Sequence, residues 1–328
     1  MIAYPSGRKG SCFVRAMLIL IIALAFISCS RESIIRDSRI AMGTAVTLTF
    51  YNRKDAALSE GAFSIIYDIE NMISFHDSES YISRINDSAG IAPVAVPEKL
   101  FNLIVKAIEI SDGSGGAFNP LMGAVTSLWN IGSDNARVPS EEELSQALLY
   151  LDTDDILLND EECTVYLKKK GMKLDLGGIG KGFCADEIRD YLVSNGVSSA
   201  IINLGGNIYA IGRKPDGRKF RIGIANPDGG AYIAEVEASD SAVVTSGAYE
   251  RFSDIDGRRY HHIFTSSGYP SDSDLLSATI ISSDSIYADA LSTAVFASGS
   301  ASAGYLSEKY GVGIITYDKD HEIRSYGL

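Results

Sequence analysis

Asp289 and Thr293 stand four positions apart in the apolar run Ala288-Asp289-Ala290-Leu291-Ser292-Thr293-Ala294. If that run is helical, the spacing places a carboxylate and a hydroxyl on one face, one turn apart. Both are hard oxygen donors, the kind that hold Mg²⁺. The same pair would also suit a partly buried helix with two satisfied polar side chains, and the spacing alone does not separate the two.

Three glycine-dense loops sharpen the chemistry: 113–116, 177–182 and the pair Gly205-Gly206. Glycine permits positive φ and close backbone approach. Successive exposed N–H groups can cradle phosphate oxygens, and a helix N-terminus adds a favourable dipole. The loop Gly177-Gly178-Ile179-Gly180-Lys181-Gly182 opens into a helix at 183–195 and carries Lys181, a natural phosphate partner. It fits neither a Walker A motif nor a dinucleotide fingerprint. Tight turns in a sheet-rich protein would use glycine similarly; with the Asp-Thr helix, the three loops point to a pyrophosphate ligand and a divalent metal.

The elements that must position these groups read as an α+β mixture of antiparallel sheets flanked by helices. Ile40–Tyr51 alternates as a strand, 55–75 reads as an amphipathic helix, 74–86 as a polar segment, and 97–111 and 140–149 as helices. Strands are predicted at 172–176, 200–203, 207–211, 220–225, 231–238, 241–245, 260–264 and 275–282. Helices at 285–298 and 301–310 and a closing hairpin complete the chain.

The net charge of −13 over 328 residues argues against nucleic-acid binding, which needs a basic footprint. Arg8, Lys9 and Arg15 precede a 12-residue apolar run, 16–27, too short to span a bilayer comfortably and suited to a signal peptide. Phe26-Ile27-Ser28-Cys29 resembles a bacterial lipobox. This predicts removal of residues 1–28, lipidation of Cys29, and a tether over 29–38 leading into one domain at 39–328. Cleavage would remove three positive charges and no acid, leaving 300 residues at −16. Cys163 and Cys184 lack metal-site spacing and are expected as free thiols, although an oxidising compartment would permit a disulfide.

Taken in order, several segments carry a family resemblance: Met42-Gly43-Thr44, Ser80 to Asn86, Gly115-Gly116-Ala117-Phe118-Asn119-Pro120, Leu174 to Gly182, Asn203 to Ile208, Thr245 to Arg251, His261-His262-Ile263 and Ala288 to Thr293. The chain resembles the ApbE family, the FAD:protein FMN transferases. Lipoprotein forms are common in this family. The pattern departs at Asn119, where the family usually has Asp, at Gly180, usually Ala, and at Thr265-Ser266-Ser267-Gly268, which is one residue short and lacks the usual Asp.

The resemblance implies binding of FAD with Mg²⁺, cleavage of the pyrophosphate, transfer of FMN to a threonine or serine hydroxyl of a target flavoprotein, and release of AMP. It implies a metal held by Asp289, Thr293 and the Gly180 carbonyl. His262 is the candidate general base, since an imidazole pKa of about 6.5 suits that task, or else it contacts the adenine of the cofactor or packs in the sheet; His261 would point to the opposite side of a strand. Met42, Ser80, Asn86 and Asn119 are placed at the flavin nucleotide by the resemblance. Asp175 would bind ribose or hold its loop, and Lys181 would pair with phosphate. Gly205, Gly206, Thr245, Ser246 and Gly247 would contact the nucleotide. The partners implied are acceptor domains of membrane redox complexes, met by an inner-membrane-anchored lipoprotein facing the periplasm. Two further readings share the sequence: an FAD pyrophosphatase giving FMN and AMP, and a non-catalytic FAD-binding lipoprotein.

Overall fold

The structure, a computed structural model, describes residues 34–328. The expected signal segment and Cys29 lie outside the described residues. Strands β1 (Ile35–Ala41) and β2 (Thr44–Phe50) form an antiparallel hairpin with Ala41 opposite Thr44. The residues between them, Met42 and Gly43, have φ of 51° and 69°, the positive values that a tight two-residue hairpin turn needs. Gly43 adopts this freely and Met42 does not; the Met42 N–H donates to Glu70 Oε1 at 2.8 Å, which ties the turn down. The single strand read over 40–51 is therefore two, and pairing starts at Ile35, inside the segment read as a tether.

Helix α1 (Ser59–Ile73) buries Ala62, Phe63, Ile66, Ile69 and Ile73 at helical spacing. The polar segment after it contains a short helix, α2 (Tyr81–Asp87), capped by Ser80, whose hydroxyl accepts from Ser83 N at 3.0 Å. Next come β3 (Val94–Ala95), α3 (Glu98–Gly113), α4 (Gly123–Trp129) and α5 (Glu141–Leu148), the last opened by a Ser140–Glu143 capping box. β4 (Ile156–Asn159) and β5 (Thr164–Leu167) join β3 in a small sheet.

Residues 172–176, predicted as a strand, form no regular element and pair with no strand. Their backbone groups are satisfied elsewhere: the Asn86 side-chain amide donates to the Leu174 carbonyl at 2.9 Å and accepts its N–H at 2.7 Å, and Asp175 N donates to the Pro120 carbonyl. Helix α6 (Gly180–Ser194) follows, then β6 (Ser199–Leu204), β7 (Asn207–Gly212), β8 (Phe220–Ile224), β9 (Ala234–Ala238), β10 (Ser241–Gly247), β11 (Phe252–Ile255), β12 (Arg258–His261), β13 (Leu275–Ser282), α7 (Ser285–Ser298), α8 (Ala303–Tyr310), β14 (Gly313–Asp318) and β15 (Ile323–Tyr326).

The main sheet runs β1-β2-β6-β7-β10-β13-β14-β15, antiparallel throughout. Alternation sorts its residues between two cores. Ala242, Val244, Ile280 and Ile314 face the larger core with the helices, whereas Val243 and Ile315 face the β8–β9 hairpin through Phe220, Ile222, Ile224 and Val236. Helix α7 is apolar on nearly every side and lies in the larger core against β10 and β13. Trp129 anchors a third cluster with Leu144 and Phe264, its indole N–H donating to the Gly268 carbonyl at 2.8 Å. The expected α+β architecture is borne out. Cys163 and Cys184 are free thiols. Among the described residues no helix is long and apolar enough to cross a membrane.

Candidate functional site

The site is built where the first turn of α6 meets the second turn of α7. Asp289 is 3% exposed, and its Oδ2 accepts from the Gly182 N–H at 2.8 Å, one of the α6 amides that has no partner within its own helix. Only glycine permits this approach: a Cβ on Gly182 would run into the Ser285 carbonyl oxygen and lie 2.8 Å from Asp289 Cβ. Gly180 is less confined: Ile73 Cδ1 lies 2.5 Å from where its Cβ would be, but that is the far end of a side chain that can move aside. Asp289 Oδ1 lies 3.7 Å from Lys181 Nζ. One turn further, Thr293 Oγ1 lies 3.4 Å from the Cβ position of Gly178, beside the Phe118 ring at 3.3 Å. Asp289, Thr293, Lys181 and the 177–182 loop thus converge.

Both ends of this arrangement are fixed. Ser292 donates to the Asp289 carbonyl at 2.8 Å, and with its proton so committed it accepts from Ser246, also at 2.8 Å. Thr245 bonds Thr279 across β10 and β13 at 2.8 Å. The α7 N-terminus is capped by a residue outside its own sequence: Asp186 of α6 accepts from Ser285 N and Ile286 N, both at 3.0 Å, and pairs with Arg189. Burial raises the Asp186 carboxyl to about 6, while the two amides and Arg189 pull it down.

His262 and Glu250 lie close enough to Lys181 for its charge to act on both. His262 Nδ1 lies 3.0 Å from the Arg251 carbonyl. A carbonyl only accepts, so Nδ1 carries the proton and Nε2 keeps its lone pair in the neutral ring. Burial lowers His262 to about 4, the Arg251 carbonyl opposes this, and the charge of Lys181 adds to it. Glu250 is exposed as a residue, while neighbouring protein displaces water from its carboxyl. Loss of water there pushes it up to about 7, with Lys181 lowering it and Asp289 raising it. Lys181 acts on both groups and Asp289 on Glu250, so four ionisable side chains share one electrostatic region. His261 turns the other way: Nε2 bonds the Ser271 carbonyl, Nδ1 accepts from Ile263 N, and the ring packs edge-on against Phe296.

The remaining predicted residues frame the site. Met42 Cε lies 4.0 Å from the Cβ position of Gly180. Gly205 and Gly206, at φ 62° and 98°, form the β6–β7 turn, and Gly205 packs on the Thr44 side chain. Gly247 lies under the Tyr249 ring. Asp175 accepts from Thr126 Oγ1 at 3.1 Å and from Gly177 N at 2.9 Å, which holds the phosphate-type loop. Asn119 donates to the Leu151 carbonyl and accepts from Leu121 N, both at 2.8 Å. Ser80 is 1% exposed, donating to the Ser74 carbonyl as well as capping α2. The polar atoms of Asn86, Asn119 and Ser80 are thus engaged in holding loops. Sequence reading missed Asp186, which looks like an ordinary helix-surface acid, and Glu250, whose only signal was its place in the Thr245–Arg251 segment.

An antiparallel α+β lobe with a carboxylate and a hydroxyl beneath a glycine loop, and a neutral histidine under the influence of the same lysine, has the parts of a nucleotide-phosphate enzyme. The sequence model of the ApbE family matches residues 42–316. The chain is 36% identical to the FAD:protein FMN transferase of Treponema pallidum, over 97% of this chain and 94% of that one. It is 38% identical to the enzyme of that name from Klebsiella pneumoniae, over 80% and 82%. The crystal structure of the ApbE protein from Thermotoga maritima superposes with a TM-score of 0.82 at 32% identity, covering 90% of this chain and 97% of that one. The chain belongs to the ApbE family.

Proposed function

We propose that this protein transfers FMN from FAD to a threonine or serine hydroxyl of a target flavoprotein and releases AMP, with Mg²⁺ as cofactor. The observation that carries this is the placement of the Asp289 and Thr293 oxygens under the α6 N-terminus, with a neutral His262 that feels the charge of Lys181. The donor set fits a hard divalent cation: Asp289 Oδ2 is held by Gly182 N, while Oδ1 makes no hydrogen bond among the described residues and has Lys181 Nζ at 3.7 Å. Asp289, Thr293 and the Gly180 carbonyl would hold the ion. When bound, Mg²⁺ would supply charge neutralisation at the diphosphate. The 177–182 backbone and Lys181 bind and orient the diphosphate. His262 Nε2 takes the proton from the incoming hydroxyl. The hydroxyl oxygen then bonds to the FMN phosphorus as the bond to the AMP oxygen breaks, and AMP leaves.

On this reading the protein is an extracytoplasmic, inner-membrane-anchored lipoprotein, attached through Cys29 and serving flavoprotein domains of membrane redox complexes. The apolar run before Cys29 supports that address.

The test incubates protein beginning at Ser30 with FAD and Mg²⁺, with and without an acceptor domain, following AMP, free FMN and acceptor mass. A flavin-sized mass gain on the acceptor, lost in Asp289→Ala and on chelation, is the expected result. AMP with free FMN and an unlabelled acceptor would make it a pyrophosphatase, and intact FAD throughout would leave a binding protein.

A further inference from the structure

Helices α6 and α7 exchange carboxylates. Asp289 of α7 accepts from Gly182 N in the first turn of α6, and Asp186 of α6 accepts from Ser285 N and Ile286 N in the first turn of α7. Both acids are buried, at 3% and 6% exposure. Ser285, fully buried, is clamped at three atoms: its N–H by Asp186, its hydroxyl by Asn207 Oδ1 at 2.9 Å, and its carbonyl against Gly182.

A helix is ordinarily capped by its own flanking residue. Asp284 occupies that place in α7, with the extended backbone of an N-cap, yet its side chain makes no capping bond. A local cap would stabilise α7 equally well but would not tie its first turn to α6. A cap supplied by α6 fixes the axial position of α7, and Asp289 lies one turn beyond the clamped residue.

We propose that Asp186 is a positioning residue that sets where the Asp289 carboxylate stands relative to the α6 N-terminus, and so tunes divalent-metal affinity. The proposal rests on the reading that Asp289 holds the metal.

The test titrates FAD-loaded protein with Mn²⁺, followed by electron paramagnetic resonance, and records Tm for each variant. Asp186→Asn, which keeps the shape and one acceptor oxygen, is expected to weaken Mn²⁺ binding at least 10-fold while FAD affinity without metal stays within 2-fold. Val236→Ala, in the core on the other face of the main sheet, lowers Tm with the α6–α7 contact intact and is expected to leave Mn²⁺ affinity within 2-fold. Unchanged affinity in Asp186→Asn, or an equal loss of affinity in Val236→Ala, would overturn the proposal and leave Asp186 a stabilising cap only. Wild-type protein that binds no Mn²⁺ would overturn the metal reading itself, and this proposal with it.

Discussion

The Arg251 carbonyl accepts twice from His262, from the backbone N–H at 3.2 Å and from the ring Nδ1 at 3.0 Å. One acceptor thereby fixes both the strand end and the ring, and leaves Nε2 as the nitrogen available to a substrate hydroxyl. His262→Gln should lower kcat by about 10²–10⁴-fold, the usual contribution of a positioned base, and change FAD affinity only a few-fold. Steady-state AMP release with flavin-fluorescence binding measures both; an equal loss in binding would make His262 a ligand contact instead.

The two perturbed groups of the site act on stability in opposite senses. His262 is lowered from 6.5 to about 4, so the unfolded chain holds its proton more readily between those values. Its contribution is complete above pH 6.5 and is lost as pH falls towards 4. Glu250 is raised from 4.5 to about 7, so the folded chain holds the extra proton and stability from this group declines as pH rises from 4.5 to 7. Urea unfolding from pH 4.5 to 7 should show His262→Asn losing stability relative to wild type as pH rises, and Glu250→Gln gaining it. Parallel curves for both variants would show that neither group is perturbed.

Periodicity made part of this site legible and tertiary packing hid the rest. Asp289 and Thr293 were readable because residues four apart share one face of a helix with 3.6 residues per turn. The α7 run was readable because its apolar residues continue on every side. Gly123–Trp129 was missed: seven residues opening on glycine give too little pattern, and Trp129 is buried by Phe264 and Tyr260 from far along the chain. The strand expected at 172–176 has a strand's alternation, but a side chain, Asn86, takes the place of a neighbouring strand. Asp186 lies on a helix whose burial is set by where α7 lands, and no local signal reports that. Glu250 follows the same rule, since its environment comes from Lys181 and Asp289, each distant in sequence.

Gly182 bears on both packing and function. Gly182→Ala places a methyl group against the Ser285 carbonyl and Asp289 Cβ, neither of which is a flexible side-chain end. Overpacking of this kind typically costs about 1–3 kcal/mol. Because the helices must separate, the N–H to Asp289 lengthens as well, so the Mg²⁺ concentration for half-maximal activity should rise along with the fall in Tm. A lowered Tm with an unaltered Mg²⁺ requirement would uncouple the helix contact from the metal ligand.

Asn119 departs from the aspartate that the family pattern usually carries here, and its surroundings give a reason. The side-chain NH₂ donates to the Leu151 carbonyl while the side-chain oxygen accepts from Leu121 N. An ionised aspartate could keep the second bond but would face the Leu151 carbonyl with an acceptor, leaving two oxygens opposed and one backbone group unpaired. Asn119→Asp should therefore destabilise the protein by about 1 kcal/mol, the low end of the cost of an unsatisfied partner because both groups are half-buried, without raising kcat. Asn119→Ser, which can reach neither partner fully, should cost a similar amount. The comparison is made by urea unfolding at pH 7.5 alongside AMP release under saturating FAD. A gain in kcat for Asn119→Asp would show that the missing charge acts on the substrate and that the loop-holding bonds are secondary.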